Sequence, residues 1–210
     1  MKKLMAALLV LTLMLTSVCA FAAEPVSGGW SPRLKLSEIK NDKAAQAALK
    51  VAQEHFDGVK LKALGVLGTQ VVAGTNYCIL CYGTTVTLEP KPGLYKVYVY
   101  EDLKGNAEID HVDELKLKNK PTGGWKLTSA KKDLTLESAA KTALKKATAK
   151  LVGASYKALA VLGRAKNSDG FALLCKKTLS DAAATTGLVV VTLRKSGDAW
   201  KVKSVTDVDF

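Results

Sequence analysis

From residue 23 onward the hydrophobic pattern shows the same order two times, one stretch with a helical period followed by four strand-like runs. Apolar side chains recur at intervals of three and four residues over 43–56 and again over 135–152, which predicts two amphipathic helices. Each helix is followed by runs in which Val, Tyr, Thr and Leu alternate with polar residues between turn signals, as is typical of antiparallel strands. The predicted strands cover residues 59–69, 75–88, 94–101 and 107–115 in the first set, and 154–165, 171–178, 187–194 and 199–208 in the second.

The two sets are copies of one unit, because two separate segments recur at the same spacing. The Gly-Gly-Trp of residues 28–30 returns at 123–125, and the segment 62–68 returns as 157–163, both displaced by 95 positions. Hairpins join consecutive strands with short breaks, and a single helix must bury its apolar stripe on one face of the sheet. The pattern therefore predicts an α+β chain in which a long helix is cradled by a curved antiparallel sheet, made twice.

The start of the chain has the order of a secretory signal. Lys2 and Lys3 precede an apolar stretch over 4–15, and small residues follow up to Ala22. That stretch is shorter than the roughly 20 residues that span a bilayer, and no later segment is longer, so no membrane span is predicted. We expect a signal peptide over 1–22 and a secreted or periplasmic mature protein.

Charge and cysteine content narrow the class of protein. The formal net charge of +12 falls to +10 without Lys2 and Lys3, which suits an acidic partner. The lysines are scattered without a dense run or interleaved aromatics, so nucleic-acid binding is not predicted. Three mature cysteines cannot all pair; Cys78 and Cys81 lie three apart on a predicted strand and point to opposite faces, and with Cys175 they are interpreted as core residues rather than a zinc or redox pair.

The predicted tip of the first hairpin is unusual in being apolar. It places Val71 and Val72 between Gln70 and Ala73, and exposing two valines costs solubility unless a partner covers them. Gly74 permits the positive φ that closes such a turn.

This tip, Gln-Val-Val-Ala-Gly, resembles the QxVxG signature of the cystatin family. The glycines and the helix that precede it, and the four-stranded meander to which it belongs, occur in the family's order. The resemblance implies two tandem cystatin-like domains, each a long helix cradled by a curved four-to-five-stranded antiparallel sheet, over residues 23–118 and 123–210, joined by a linker at 119–122. It also implies a reversible, tight-binding inhibitor that occludes the active-site cleft of a papain-like cysteine protease. The protease-binding residues carried over are Gly28, Gly29, Gln70, Val71, Val72, Ala73, Gly74 and Leu103.

Two departures from the family pattern accompany the resemblance. Many cystatins place Pro-Trp in the second hairpin, whereas this chain has Leu103 at that tip, which implies a smaller apolar contact. The second copy has a polar tip over 165–170 in place of the motif, so we expect it to be structural or to bind something else. In the first copy the resemblance implies that the glycine pair lets Pro25, Val26 and Ser27 lie along the cleft.

An enzyme is not predicted, and neither a cofactor nor a metal site is expected. The histidines, His55 and His111, have no Ser or Cys neighbour in a nucleophile context, and the carboxylates show no paired motif. The alternative that stays open is a non-inhibitory exported cystatin-like binding module for an acidic partner or polyanion, because one fold serves many functions.

Overall fold

The fold is described from a computed structural model that covers residues 28–40, 42–129 and 134–210. The predicted signal peptide and the arm residues Pro25, Val26 and Ser27 lie outside these ranges.

The first half of the chain forms a five-stranded meander with its helical residues between the first two strands. The elements in chain order are β1 (Trp30–Pro32), α1 (Leu36–Lys40), α2 (Lys43–Ala52), a 3-10 turn (Gln53–His55), β2 (Val59–Val72), β3 (Gly74–Thr85), β4 (Pro92–Glu101) and β5 (Ala107–Glu114). All neighbouring strands are antiparallel, in the order β1-β2-β3-β4-β5. Helix α2 begins where Asp42 accepts a hydrogen bond from the Ala45 amide at 3.1 Å, a side-chain N-cap.

The second half repeats this plan. Its elements are β6 (Trp125–Leu127), α3 (Ser138–Thr148), β7 (Ala154–Ala165), β8 (Gly170–Leu179), β9 (Thr186–Ser196) and β10 (Ala199–Asp207), and the sheet order is β10-β9-β8-β7-β6. The predicted strands are thus found in both halves, within a few residues of the bounds expected from the sequence.

The sequence repeat is reproduced in the irregularities of the two sheets. The β2–β3 register shifts between Ala63 and Gly65, and the β7–β8 register shifts between Ala158 and Ala160. Each hairpin has a second register shift, which lies three residues further along the strand and again at matching positions. Because a bulge bends a strand and increases its twist, the two sheets are curved in the same way.

The two sheets pack face to face. One apolar core takes side chains from both halves, including Leu67 and Leu80 from the first sheet and Leu162 and Leu174 from the second. The opposite face of each sheet carries a helix, with Leu49 of α2 in one outer core and other apolar residues of α3 in another. The layers are therefore helix, sheet, sheet and helix, and the middle strands are buried on both faces.

The predicted fold class is consequently wrong. Tandem cystatin-like domains would each consist of a long helix cradled by its own sheet, with the far face of that sheet available to solvent. The helices here are short, ten residues in α2 and eleven in α3, and the chain is mostly antiparallel sheet. The physical reason lies in the strands: β2 and β3 each contain five consecutive buried residues, so both faces of the sheet are apolar and each sheet needs the other.

The buried cysteines lie as the strand interpretation predicts. Cys78 belongs to the core between the sheets and Cys81 to the core beneath α2, so the two thiols are on opposite faces of β3. Burial raises the pKa of Cys78 and of Cys175 to about 12. Among the described residues, no helix is long and apolar enough to cross a membrane.

Candidate functional site

Three segments of the first half meet at one end of its sheet. The β2–β3 and β4–β5 hairpins both turn there, and the pairing of Thr75 with Glu101 sets their tips side by side. Strand β1 begins at the same end, because Trp30 pairs with Gln70 just before the β2–β3 tip. We call this end the hairpin edge: residues 28–29, 70–74 and 102–106.

The β2–β3 tip is a very tight turn. Val72 pairs with Gly74, which leaves Ala73 alone between the two strands. Gly74 has φ +127°, and a Cβ at this position would run into the carbonyl oxygen of Glu101 on the neighbouring strand. Glycine is needed here both for its backbone conformation and for the close approach of β4.

The hairpin edge exposes apolar side chains on both tips. Val71 is 49% exposed and Val72 is 39% exposed, while Leu103 on the second tip is 85% exposed. Other exposed apolar residues of the described chain lie elsewhere; Val86 and Leu88, for example, are in the β3–β4 connection at the opposite end of this sheet. The edge therefore presents three bare aliphatic groups from two hairpins.

Gln70 ties the N-terminal segment to the hairpin. Its side-chain amide donates to the Gly28 carbonyl oxygen at 2.9 Å, and its side-chain oxygen accepts from Asn76 at 2.7 Å. The Gly28 amide also donates to the Val71 carbonyl oxygen at 3.3 Å. Gly28 has φ +88° and is exposed, and Gly29 continues into β1. Gln70 was predicted as a contact residue; in addition, the structure gives it this internal bracing position.

Two tyrosines that the sequence analysis did not single out support the tips. The hydroxyl of Tyr100 donates to the Ala73 carbonyl oxygen at 2.7 Å, and that of Tyr77 donates to the Glu101 carboxylate at 2.9 Å. Burial, and then the neighbouring Glu101 carboxylate, raises the pKa of Tyr77 to about 12. The alternation of Tyr77 and Tyr100 within their strands was visible in the sequence, but their partners were not.

The second tip is held by one carboxylate. Asp102 accepts from the Lys104 amide at 2.8 Å, and from both the backbone and the side-chain amide of Asn106 at 2.9 and 2.8 Å. These hydrogen bonds, the Asn106 side chain foremost, lower the pKa of Asp102. Leu103 therefore projects from an ordered turn of the kind that Asp commonly closes.

The C-terminal residues of the second half pack behind this edge. Phe210 stacks on Trp30 with ring centroids 5.4 Å apart, and Trp30 also meets Tyr98 edge-on at 5.8 Å. Lys96 and the Tyr98 hydroxyl both donate to the carbonyl oxygen of Asp209, at 2.8 and 3.1 Å. Strand β1, which directly follows Gly28 and Gly29, is thus fixed by contacts from the other half of the chain.

The corresponding end of the second half has a different chemistry. Its β7–β8 connection, residues 166–169, is exposed and polar, and the Lys166 amide donates to the Gly124 carbonyl oxygen at 3.1 Å. Gly123 has φ +79°, close to the +88° of its counterpart Gly28, whereas Gly124 has φ +84° and its counterpart Gly29 has no positive φ. The second half therefore repeats only part of the backbone of this entry segment, and it lacks the apolar tip.

Among the remaining candidate groups, His111 lies beside a carboxylate and a tyrosine ring. The ring nitrogen Nδ1 of His111 lies 2.6 Å from the Asp110 carboxylate, and the ring stacks on Tyr98 with centroids 4.0 Å apart. No group of three His, Cys, Asp or Glu side chains in the described part of the chain could hold a metal ion.

Comparisons with known proteins give no family. No protein-family model matches the chain, and no curated protein matches it. Among solved structures it is similar to an "Ntf2 like protein involved in plasmid conjugation", with 12% identity over 77% of this chain and 84% of that one, and a TM-score of 0.25.

Proposed function

We propose that the protein is an exported, reversible inhibitor of papain-like cysteine proteases that inserts the hairpin edge of its first half into the active-site cleft. The observation that carries the proposal is the meeting of all the sequence-predicted contact residues at one end of one sheet. Gly28 and Gly29, residues 70–74 and Leu103 come from three separate segments, and the register brings them together.

The shape of the edge supports insertion into a cleft. The single-residue turn at Ala73 makes the central hairpin narrow, and the N-terminal segment and the Leu103 tip flank it on either side. A papain-like cleft would receive Val71, Val72 and Leu103 as apolar contacts, each stabilising the complex by roughly 25 cal/mol per Å² of apolar surface removed from water.

The bracing of the edge supports tight binding. Hydrogen bonds within the free protein hold Gly28 through Gln70, the first tip through Tyr100 and the second tip through Asp102. Because these segments are ordered before docking, little conformational entropy is lost in the complex. Occlusion by hairpin tips also blocks substrate without placing a peptide bond of the inhibitor at the nucleophile, so the inhibitor is not consumed and needs no catalytic group of its own.

The test is a titration of mature protein, residues 23–210, against papain with a fluorogenic substrate, for the parent chain and for Val72→Asp. We expect tight, reversible inhibition by the parent and its loss in the variant, because the complex would bury an unpaired carboxylate. The matched control is Val205→Asp, since Val205 has a similar exposure, 37% against 39%, on β10 of the other half.

Full inhibition by Val205→Asp alongside loss in Val72→Asp would locate binding at the hairpin edge. Equal inhibition constants for Val72→Asp and the parent would remove this edge from the mechanism. Absence of inhibition by the parent, with papain and a second protease of the class, would overturn the proposed function.

A second candidate function is binding to a polyanion, which the basic surface of the second half favours. Lys120, Arg194, Lys195 and Lys203 line one surface depression of about 380 Å³, and of these four only Lys195 has a carboxylate partner in the described ranges, Asp169 at 3.6 Å. Retention on immobilised heparin that falls steeply with salt and is weakened by Lys203→Glu, together with no effect on papain, would favour this candidate.

A further inference from the structure

A cavity lies where the two halves adjoin, away from the residues of the hairpin edge. It has a volume of about 660 Å³, within the range of roughly 300–1,000 Å³ that small-molecule sites occupy. One wall comes from residues 35–37 at the start of α1, and the other comes from α3 and the first residues of β7. Neither half could form this cavity alone.

The floor of the cavity is apolar. It is built by Leu36 from the first half and, from the second half, by Leu136, Leu144, Tyr156, Ala158 and Leu159. Leu159 belongs to the core between the sheets and Leu144 to the core beneath α3, so the floor is the exposed margin of two packed cores. Such a surface favours a ligand with a hydrocarbon body.

The rim of the cavity is cationic. Lys35, Lys141, Lys145 and Lys157 all line it, and no Asp or Glu of the described residues does. Lys35 is paired with Glu38 at 2.8 Å, whereas the other three lysines make no salt bridge to any carboxylate of the described chain. Three ammonium groups without an internal partner around one apolar floor are complementary to an anionic head group.

We propose that this cavity binds a single-chain amphiphile with an anionic head group, its alkyl chain on the leucine floor and its carboxylate or phosphate among Lys141, Lys145 and Lys157. An apolar floor alone would not distinguish a charged ligand from an uncharged one, and a lysine cluster alone would not require the ligand to have an alkyl chain. Their combination in one cavity specifies both parts of the ligand. The site shares no residue with the hairpin edge, so it stands whether or not the protein inhibits a protease.

The experiment is calorimetric titration of the mature full-length chain with dodecanoate and with dodecyl phosphate, each below its micellar concentration, and with dodecanol as the uncharged probe. We expect the anions to bind about tenfold or more tightly than dodecanol, as several lysines act on one head group. Tighter binding of dodecanoate points to a fatty acid as the natural source, and tighter binding of dodecyl phosphate points to a phospholipid fragment; either result supports the site.

Two variants locate the binding. Lys145→Glu should weaken both anions by about tenfold or more, since it replaces attraction by repulsion at the rim. Its matched control is Lys146→Glu, the next residue of α3, which is exposed and does not line the cavity. Ser37→Trp, at an exposed rim position, should block all three probes while leaving the unfolding midpoint unchanged.

The proposal is overturned if neither anion binds, if dodecanol binds as tightly as the anions, or if Lys146→Glu weakens binding as much as Lys145→Glu. The last result would mean that the overall positive charge, rather than this cavity, attracts the probe.

Discussion

The side chain of Gln70 donates a hydrogen bond to the carbonyl oxygen of Gly28 at 2.9 Å, across 42 positions of the chain. The first residue of the apolar hairpin motif therefore holds the N-terminal segment against β2. This relationship joins two of the three segments of the hairpin edge, and its consequences can be measured with and without a protease.

Gln70→Ala should loosen the N-terminal segment. Loss of a hydrogen bond of this kind costs about 1 kcal/mol, so we expect faster amide exchange at Trp30 and, if the proposed function is right, inhibition of papain weakened by about fivefold. Hydrogen exchange followed by mass spectrometry and the inhibition constant measure the two effects. Gln46→Ala, at an exposed position of α2, is the control and should change neither. Unchanged exchange at Trp30 in Gln70→Ala would show that the bond does not hold the segment.

Gly74→Ala should destabilise the fold more than Gly105→Ala, although both glycines have positive φ in hairpin tips. At Gly105 a Cβ meets no atom within 4 Å, so only the backbone conformation is penalised, by about 1 kcal/mol. At Gly74 the new Cβ would also run into the Glu101 carbonyl oxygen, which raises the expected cost to about 2–3 kcal/mol. Urea unfolding of the two variants gives the comparison, and equal losses would contradict the close approach of β4.

Phe210 and Gly68 should behave as an energetically coupled pair. A Cβ on Gly68 would lie 2.8 Å from the Phe210 ring, so Gly68→Ala alone should cost about 2 kcal/mol by overpacking. In a Phe210→Ala background the same substitution should be close to neutral, because the ring is gone and alanine is favoured over glycine in a strand. A double-mutant cycle from urea unfolding measures the coupling. Additive losses would mean that Phe210 does not pack over β2.

Stability should fall at alkaline pH through Tyr77. Its pKa in the folded state, about 12, lies above the ordinary value of 10.0, so the folded protein keeps the phenolic proton longer than the unfolded chain does. The stabilisation is complete below pH 10 and is lost as the pH rises through about 12. Tyr77→Phe should make the decline shallower when the free energy of unfolding is followed across this range.

Glu101→Gln provides the matched comparison for Tyr77, because it keeps the hydrogen-bond acceptor and removes the charge. Since burial is the larger cause of the raised pKa, this variant should retain most of the decline. The same decline in Tyr77→Phe as in the parent chain would assign it to other groups.

Local structure was largely predictable from the sequence. Alternation gave the strands, and the 95-residue offset paired the segments that carry matching bulges, Ala63 with Ala158 and Gly65 with Ala160. The exposure of Val71 and Val72 was predictable because valines in a tight turn stand out against polar loops. The positive φ of Gly74 was expected because glycine permits the backbone conformation that closes such a turn.

The arrangement of the two halves was not predicted. The runs in β2 and β3 were interpreted from the sequence as strands with one apolar face. In the structure each contains five consecutive buried residues, which means that both faces are buried. Contacts such as Phe210 with Trp30 or Gln70 with Gly28 join residues far apart in sequence, and no local pattern marks them. The cavity was missed for the same reason, since its walls come from both halves.

The core between the sheets joins the two halves. Leu67 and Leu162 are fully buried in that core, so separating the halves would expose a broad apolar surface on each half. We expect a single unfolding transition for the whole chain, and self-association of either half expressed alone. A substitution in a surface loop of one copy therefore leaves the other copy untouched, whereas a substitution on one of the facing surfaces must fit the side chains of both sheets.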